Sequence, residues 1–306
     1  CFSLAKMFKK SPQQIAQELA KKFKANFLAK VEAKGPYVNF FLSKPLLVKS
    51  VLMTVLKKQR QYGKGKNKKK IVIEYPSPNT NKPLHLGHIR NILLGSTLTR
   101  LFQFQGNKVY QVNLNNDRGI HICKSMLAYQ KWGVDKKPDK KPDHFVGDWY
   151  VKYSQELQQH PELEQEAQEM LRRWEVGDKI VRALWKKMNR WALQGFHETY
   201  ALFNLKFDKE YFESGIYEHG KQLVLDHVKK GIFEKDQTGA VIARLEKEGL
   251  DNKVLLRSDG TSVYMTQDLY LAQLKYENFK MDQSIYVVGN EQNYHFKVLF
   301  ILLKKL

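Results

Sequence analysis

The segment from Ile71 to Arg100 constrains the fold of this chain more than any other stretch. It reads IVIEYPSPNTNKPLHLGHIRNILLGSTLTR: a short apolar run, a loop rich in Pro and Asn, and then His-Leu-Gly-His at the start of an amphipathic helix. His85 and His88 are three residues apart, so they share one face of the first helical turn. Gly87 between them removes a side chain, which lets a flat ligand approach the backbone. A strand, a loop and a helix in this order predict the first half of a βαβ unit.

The start of this helix is suited to binding phosphate. Unpaired backbone N–H groups and partial positive charge collect at a helix N-terminus. Imidazoles at His85 and His88 can donate hydrogen bonds to phosphate oxygens as charge builds up during phosphoryl or adenylyl transfer. For the pattern HxGH alone, a capped helix with two incidental histidines is an equally good interpretation, so the surrounding residues have to decide.

The composition favours a polyanionic partner. The chain has 306 residues and is 42% hydrophobic, enough for one large domain plus a smaller piece. Its net charge is +21, with basic runs at Lys64–Lys70 and Lys136–Lys141. Nucleic acid is the first candidate partner and an anionic membrane the second, although each run alone is also typical of a solvated linker. The longest apolar runs, such as Val298–Leu303, are too short to span a bilayer. Of the two candidates we expect nucleic acid, and no membrane, as the partner.

Cysteine usage and the chain ends set the expected context. Cys1 and Cys123 are too few for a disulfide framework, so we expect a reducing, cytoplasmic compartment. A processed lipoprotein would also begin with Cys. Leu4–Leu28 already resembles the middle of a fold, however, so we interpret the start as a truncation. Phe296–Leu306 is helix-periodic and stops without a Gly, Asn or Pro exit signal, so we interpret the C-terminus as cut as well.

The first 70 residues are predicted to hold a small α/β piece and a linker. Ser11-Pro12 begins a capped helix, and Val31–Leu42 alternates around Gly35-Pro36 like a hairpin. These elements suggest part of an additional N-terminal domain over residues 1–45. A linker helix at Leu46–Leu56 and a basic linker are expected over residues 46–70.

Residues 71–306 are expected to form an α/β domain around a parallel sheet. The predicted elements are strands at Ile71–Ile73, Lys108–Leu114 and Ser284–Val288, helices at Ile89–Phe104 and Tyr264–Leu274, and a strand pair of Ala240–Leu245 with Val254–Leu256. The first two strands flank a helix, which is the βαβ pattern. Residues from about 134 to 235 are largely helical and polar and lack strand alternation, so we interpret them as a helical insertion.

Polar residues cluster where three predicted strands end. They are Glu74, Ser77, Asn79, His85 and His88 after the first strand, Asn115, Asn116, Asp117, Arg118 and Gly119 after the second, and Gly289, Asn290, Glu291, Gln292 and His295 after the last. In an open α/β sheet, ligands bind at the carboxyl ends of the strands, where the strand order reverses. The three polar loops therefore predict one shared site.

Four blocks in this order resemble the arginyl-tRNA synthetase family of class I aminoacyl-tRNA synthetases. They are Glu74–Asn79 with Lys82–His88, Val112–Gly119, Ser262–Leu269 and Tyr286–Phe296. The similarity covers roughly residues 70–306, and residues before 45 weakly resemble that family's N-terminal domain. HLGH alone would indicate only the wider nucleotidyl-transferring superfamily. The resemblance implies a Rossmann-like class I catalytic domain with a helical insertion, preceded by the remnant of a small α/β domain.

The resemblance also implies residue roles. The implied ATP-binding residues are Pro83, His85, Gly87 and His88, of which the two histidines are catalytic. The implied arginine-binding residues are Ser77, Asn79 and Gln292 for the amino and carboxylate groups, and Glu74, Tyr264 and Asp268 for the guanidinium. Tyr264 and Asp268 are four residues apart on one helical face, and a carboxylate matches the guanidinium fork. Asp117 and His295 are further candidates, and either is also explained as a helix cap or an ordinary polar contact.

The implied reaction is ATP-dependent activation of L-arginine followed by transfer to tRNA(Arg). Mg²⁺ would screen the phosphates, and we expect a monomer. Family members usually need bound tRNA before they activate the amino acid. The family's C-terminal anticodon-binding domain and its Lys-Met-Ser-Lys-Ser loop are missing, so the activity of this chain alone stays open. Lys280-Met-Asp-Gln-Ser is similar to that loop but precedes the strand at Ser284–Val288, so we interpret it as coincidence.

Other interpretations remain open at this point. A cofactor-forming HxGH adenylyltransferase would not need so extensive a basic surface, and a non-catalytic RNA-binding paralogue would not need both histidines. A zinc site formed by His85, His88, His121 and Cys123 lacks a CxxC or HExxH pattern, so we expect no metal site. Trp174, Trp185 and Trp191 lie on helical spacing with apolar neighbours, which favours core packing over a base-stacking platform.

Overall fold

A computed structural model describes residues 1–306, which divide into two compact units, residues 1–65 and residues 66–306. The elements of the first unit are helices α1 (Phe2–Phe8), α2 (Pro12–Lys22) and α3 (Lys44–Lys58) and strands β1 (Leu28–Lys34) and β2 (Tyr37–Leu42). The helix that we predicted as part of a linker is thus α3 of the first unit.

The first unit has the predicted capped helix and hairpin. Ser11 accepts a hydrogen bond from the Gln14 backbone N–H at 3.2 Å, and the Gln14 side chain accepts one from the Ser11 N–H at 3.1 Å, which forms a capping box. Strands β1 and β2 pair antiparallel around Gly35, whose φ of 57° suits the turn. Helix α2 packs on this hairpin and buries Ile15 and Ala16.

The first unit is strongly basic. Glu18 and Glu32 are its only acidic side chains, although lysine occurs throughout. Both glutamates are already paired with neighbouring lysines, Lys10 and Lys30. The remaining lysines give this unit an excess of positive charge that suits a polyanion.

The second unit holds a four-stranded parallel sheet and a three-stranded antiparallel sheet. Its helices are α4 (Leu86–Phe104), α5 (Ile120–Trp132), α6 (Pro142–Glu156), α7 (Glu162–Glu175), α8 (Lys179–Leu202), α9 (Glu213–Lys229), α10 (Tyr264–Phe279) and α11 (Asn293–Lys305). Its strands are β3 (Lys70–Glu74), β4 (Lys108–Asn115), β5 (Lys209–Phe212), β6 (Glu234–Lys235), β7 (Val241–Ala243), β8 (Lys253–Leu256) and β9 (Gln283–Tyr286). None of the helices combines the length and apolar character needed to cross a membrane.

The parallel sheet has the order β5-β4-β3-β9. Ile73 pairs with Gln111 of β4 on one side and with Ile285 of β9 on the other. Strand β3 is buried from Ile71 onward, as expected for a parallel strand covered on both faces. The chain runs from β3 to β4 and β5 in one direction and then returns to the other side of β3 as β9. The strand order therefore reverses between β3 and β9, where the general rule places a ligand site.

Helix α4 completes the predicted βαβ unit and packs closely on β3. A Cβ atom at Gly95 would overlap the ring of Tyr75, so only glycine permits this approach. The Tyr75 ring is fully buried and stacks edge-on against Phe207, with ring centroids 5.5 Å apart. The contact between Gly95 and the Tyr75 ring sets the distance between α4 and the sheet, and hence the position of the helix start.

The predicted insertion over residues 134–235 is only partly correct. Helices α6, α7 and α8 pack around buried Trp174, with Trp185 and Trp191 partly buried at the same core, which confirms their packing role. The region nevertheless contains β5, the edge strand of the parallel sheet. Strand β5 is four residues long and buries a single side chain, Tyr211, so no alternation was visible in the sequence. The uninterrupted helical part ends with α8.

The C-terminal elements also follow the sequence pattern closely. The predicted strand pair is β7 with β8, to which β6 adds a third antiparallel strand. Lys280 ends α10 in the left-handed conformation, with φ of 46°, and precedes β9. Lys280-Met-Asp-Gln-Ser is therefore a helix terminus, in agreement with its interpretation as a coincidental match.

Candidate active site

The three polar loops lie at one edge of the parallel sheet, as the sequence predicted. Because β3, β4 and β9 are parallel neighbours, their carboxyl ends share this edge. The loop after β3 is joined to the end of β4 by backbone hydrogen bonds. The Thr80 N–H donates to the Asn116 carbonyl at 3.1 Å, and the Asn116 N–H donates to the Pro78 carbonyl at 2.9 Å. Asn79 forms an isolated parallel bridge with Asn116.

His85 and His88 cap helix α4 through one ring nitrogen each. His85 Nδ1 accepts from the Gly87 N–H at 3.1 Å, and His88 Nδ1 accepts from the His85 N–H at 3.1 Å. Because each Nδ1 is an acceptor, the hydrogen-bond network assigns the ring proton to Nε2. The two rings lie with centroids 3.9 Å apart, so both Nε2–H groups are carried by one small region. Capping and phosphate binding are thus compatible in the same residues.

The imidazole of His88 is neutral near pH 7. Burial, together with nearby His85 and Lys82, lowers the pKa of His88 to about 4. It can therefore donate from Nε2 without first gaining a proton. Lys82 itself forms no ion pair and lies close enough to lower the pKa of His121 as well, after burial and Lys124. Sequence analysis gave Lys82 no role, although it lies three residues before His85.

Gly87 leaves room for the ring of His85. A Cβ atom at position 87 would lie 2.9 Å from Cε1 and 3.0 Å from Nδ1 of His85. Any side chain there would displace the His85 ring from its capping position. Pro83 is likewise in contact with the protein, because its ring lies against Gly147 of α6.

Ser77 has a left-handed backbone, with φ of 56°. Its N–H donates to Asn113 Oδ1 at 3.1 Å, and its carbonyl accepts from Asn116 Nδ2 at 3.2 Å. The loop that carries the predicted amino-group ligands is therefore held by two asparagines at the end of β4.

Glu74 is paired with a buried lysine through one of its two carboxylate oxygens, and its assignment to the guanidinium stays a prediction. Its Oε2 accepts from Lys275 Nζ at 2.6 Å, and the Lys275 side chain is fully buried. Lys275 Nζ also lies 3.9 Å from the centre of the Tyr286 ring. Burial lowers the pKa of Lys275, but Glu74 and Tyr286 outweigh it and raise the pKa above its ordinary value. Glu74 is the counter-ion of a buried lysine, and sequence spacing could not reveal a partner 201 residues away.

Tyr264 lies at the mouth of a cleft of about 750 Å³. Its side chain is exposed, and Arg118, Glu213, Tyr217 and Gln267 also line the cleft. Glu213 is buried, and burial raises its pKa to about 7, with Arg118 opposing and Asp117 and Asp268 adding to the rise. A cation in the cleft would favour the ionised form of this carboxylate. Sequence analysis missed Glu213 because it follows the unrecognised strand β5.

Asp268 and His295 are brought together by α10 and α11. His295 Nε2 lies 2.6 Å from Asp268 Oδ2, and both side chains are about one-quarter exposed. His295 thus holds the Asp268 carboxylate rather than capping a helix. Gln292 is exposed in the short 3-10 turn after β9. Glu213 and Tyr264 line the cleft, and Asp268 lies close enough to Glu213 to add to the rise in its pKa.

Asp117 caps a helix, but a different one from that expected. Its carboxylate accepts from the backbone N–H of Ser214 at 2.8 Å and from Ser214 Oγ at 2.6 Å, at the start of α9. Its carbonyl accepts from Trp185 Nε1 at 2.6 Å. Helix α5 begins instead after Gly119 without a side-chain cap. Asp117 therefore ties β4, α8 and α9 together at the edge of the site.

The protein side chains do not form a metal cage. No group of three His, Cys, Asp or Glu side chains is arranged to hold a metal ion. His121 is hydrogen-bonded to the Tyr150 hydroxyl at 3.0 Å, and burial raises the pKa of the Cys123 thiol to about 12. These two residues are accounted for by packing and hydrogen bonding.

A parallel sheet whose central strand leads through HLGH into a helix, at the reversal of strand order, fits the catalytic domain of a class I aminoacyl-tRNA synthetase. Residues 50–306 match the family described as tRNA synthetases class I (R), catalytic domain. Residues 1–42 match the family described as Arginyl tRNA synthetase N terminal domain. The chain belongs to the arginyl-tRNA synthetase family.

Several relatives are similar over the whole of this chain. An arginine–tRNA ligase of Treponema denticola is 50% identical over 316 residues, covering 100% of this chain and 54% of the relative. One of Parabacteroides distasonis is 46% identical, covering 100% of this chain and 55% of the relative. The chain thus spans about half the length of the curated relatives it matches.

Solved structures have the same fold. The arginyl-tRNA synthetase of Thermus thermophilus is 29% identical with a TM-score of 0.68, covering 91% of this chain and 47% of that one. The crystal structure of the Plasmodium falciparum enzyme has a TM-score of 0.73 at 19% identity, covering 99% of this chain and 54% of that one. The second similarity concerns the fold alone.

Proposed function

We propose that the protein is an arginine–tRNA ligase, which activates L-arginine with ATP and transfers the arginyl group to tRNA(Arg). The observation that carries this proposal is the pair of Nε2–H donors of His85 and His88 at the N-terminus of α4. Glu213 directly follows β5, a parallel strand of the same sheet, so its carboxylate lies at the same sheet edge. Phosphate chemistry and cation recognition are thereby combined in one site.

In the proposed activation step, a carboxylate oxygen of arginine attacks the α-phosphorus of ATP. A new P–O bond forms, the bond to pyrophosphate breaks, and pyrophosphate leaves with the bonding electrons. Negative charge builds up on the phosphate oxygens, where the Nε2–H groups of His85 and His88 donate. The unpaired cation of Lys82, close to His88, adds positive charge there. Neither histidine needs to exchange a proton, because in each ring Nδ1 accepts from the backbone and Nε2 keeps its proton to donate.

The proposed arginine subsite combines three side chains. Asp268 and Glu213 supply negative charge for the guanidinium, and Tyr264 supplies a hydroxyl and a ring face. The raised pKa of Glu213 supports a cationic ligand, because binding would compensate the burial of its charge. Ser77, Asn79 and Gln292 are proposed to hold the amino and carboxylate end of arginine.

ATP is proposed as a substrate, with Mg²⁺ as its counter-ion. Since no protein cluster is built for a metal, Mg²⁺ would be held mainly by the phosphates, as is usual for this ion. The proposed tRNA partner fits the net charge of +21. A monomeric state and a cytoplasmic location stay predictions, and the two free thiols, Cys1 and Cys123, support a reducing compartment.

The deciding experiment is ATP–pyrophosphate exchange by the full-length protein, with each amino acid in turn and with and without tRNA. We expect exchange with arginine only, and charging of tRNA(Arg) under the same conditions. Exchange with an uncharged amino acid would contradict the arginine subsite. Adenylyl transfer to a small cofactor precursor without amino acid would favour the cofactor-adenylyltransferase alternative.

A further inference from the structure

A buried polar network lies beneath the loop that carries Ser77. Asn113 and Asn115, on β4, are both completely buried. Asn113 Nδ2 donates to Asn115 Oδ1 at 3.1 Å and approaches Glu210 Oε2 at 3.4 Å, while Asn115 Nδ2 donates to the same Glu210 oxygen at 2.7 Å. The other Glu210 oxygen lies 2.7 Å from His197 Nε2. The network therefore runs from an exposed histidine on α8 to the interior of the site.

The network fixes which way the Asn113 amide points. Its Nδ2 faces the Glu210 carboxylate, which can only accept hydrogen bonds while it is ionised. Its Oδ1 is thereby turned toward the Ser77 N–H, 3.1 Å away. Burial raises the pKa of Glu210, but hydrogen bonds from His197 and Asn115 outweigh burial and lower it, so this carboxylate stays ionised at neutral pH. If the Asn113 amide were reversed, its Nδ2 would face the Ser77 N–H, and two hydrogen-bond donors would meet.

Ser77 needs this support. Its φ of 56° lies in the left-handed region, which residues other than glycine seldom adopt. Hydrogen bonds from the surroundings have to hold such a conformation. Asn113 supplies one on the N–H side and Asn116 supplies the other on the carbonyl side.

We propose that Asn113, oriented by Glu210, is a positioning residue that holds Ser77 in its left-handed conformation for binding the amino end of the substrate. Asn113 is buried beneath the loop and acts through Ser77, and Glu210 acts through Asn113. This inference rests on the proposed function of Ser77. The proposal adds a requirement beyond the residues that contact the substrate. The side chain at position 113 must offer a hydrogen-bond donor to the carboxylate at position 210 and an acceptor to the Ser77 N–H.

A polarity swap tests the proposal in the full-length protein. Asn113→Asp keeps the shape and an acceptor for the Ser77 N–H, but it places a second carboxylate against Glu210. We expect it to raise KM for arginine about ten- to a hundredfold, as small misplacements of a binding group do, with KM for ATP changed less than about twofold. Adding Glu210→Gln removes the second carboxylate and puts an amide where Asn115 Nδ2 donates. Reversal of the Asn115 amide then lets its oxygen accept from the new amide and its Nδ2 donate to Asp at position 113, so the double variant should recover most of the arginine affinity.

A matched control and a structural readout complete the experiment. Asn107 is also buried beside β4, where its Nδ2 donates to the Phe102 carbonyl at 3.0 Å far from Ser77. Asn107→Ala should lower the melting temperature without changing KM for arginine. Amide hydrogen exchange of the peptide containing Ser77 should be faster in Asn113→Asp and should slow again in the double variant.

The two readouts separate this proposal from the proposed function. Unchanged exchange at Ser77, or an Asn113→Asp defect that the double variant does not reverse, would overturn the positioning role. A different outcome is that the wild type shows no arginine-dependent reaction while hydrogen exchange at Ser77 still speeds up in Asn113→Asp and slows again in the double variant. That result would overturn the arginine function and leave the positioning network intact.

Discussion

At the scale of single residues, His85 and His88 each cap α4 with one ring nitrogen, and in the proposed function each donates to phosphate with the other. The Nδ1 atoms close the first turn of α4, and this closure dictates that the protons sit on Nε2. A helix cap and a ligand donor are therefore linked through the tautomer of the same ring. Ordinary capping residues such as Asn or Gln could close the turn, but they could not place an imidazole N–H at the phosphates.

This double role separates stability from catalysis in mutants. His85→Asn and His88→Gln preserve the capping pattern, so the free energy of unfolding should stay close to that of the wild type. Both should lower the rate of arginine activation by about 10²–10³, the effect of losing one preorganised donor, with a smaller change in KM for ATP. His85→Ala should in addition lose about 0.5–2 kcal/mol of stability. Near-normal turnover in the Asn and Gln variants would exclude the phosphate role.

The depressed pKa of His88 predicts a pH dependence of stability. The folded pKa of about 4 lies below the ordinary histidine pKa of 6.5, so the unfolded state binds the proton more readily. The free energy of unfolding should therefore decrease as the pH falls from about 6.5 toward 4. His88→Gln should remove that contribution. Denaturant titrations of both proteins across this range would measure it, and parallel curves would contradict the assignment.

Recognition of the guanidinium predicts a large effect at Asp268 and a small one at Tyr264. Removing one partner of a buried charge pair typically costs about 3–5 kcal/mol, so Asp268→Asn should reduce kcat/KM for arginine by about 10²–10³ or more. Tyr264→Phe removes a neutral hydrogen bond and should cost about 0.5–1.5 kcal/mol. Steady-state exchange kinetics with arginine and lysine would measure both. Unchanged arginine kinetics in Asp268→Asn would remove this residue from the subsite.

At the scale of elements, the sequence predicted those helices and turns whose capping or turn residues lie next to them in the chain. A helix cap is predicted by Ser11-Pro12, a turn by Gly35-Pro36 and a helix start by the HLGH segment. Strand β5 was missed because four residues with one buried side chain show no periodicity. The partners of Glu74 and Asp268 were missed because Lys275 and His295 become neighbours only when the sheet has formed.

The Glu74–Lys275 pair joins β3 to α10, and removing one partner should lower the free energy of unfolding. Lys275→Met leaves Glu74 buried without a counter-ion and should lower the free energy of unfolding by about 3–5 kcal/mol. Combining it with Glu74→Gln removes both charges and should restore much of the loss, because neutral replacements of a buried pair are often tolerated. Lys297→Met, on the exposed side of α11, is the matched control and should change little. Denaturant unfolding of the wild type, both single variants (Lys275→Met and Glu74→Gln), the double variant and the control measures the coupling. An additive double variant would argue against a direct pair.

At the scale of the whole molecule, the excess of positive charge predicts salt-dependent RNA binding. Each neutralised phosphate releases counterions, so the affinity for tRNA should fall linearly on a double logarithmic plot against salt. Replacing Lys66, Lys68 and Lys69 by Gln should make the slope shallower by up to about one per lost phosphate contact. Filter binding or fluorescence anisotropy of the full-length protein across salt concentrations would measure this. A salt-independent affinity would contradict an electrostatic interface.

The pairing of β3 with β9 has a consequence for the way this protein is made. Lys70 donates its backbone N–H to Asp282 at 2.7 Å across 212 residues, so the two sides of the sheet leave the ribosome far apart in time. At 5–20 residues per second, β3 and its HLGH helix wait roughly 10–40 seconds for β9. During that interval one edge of the central strand has no partner, which is a state that invites aggregation or a chaperone. Nascent chains should therefore acquire the ability to bind nucleotide abruptly, once β9 emerges.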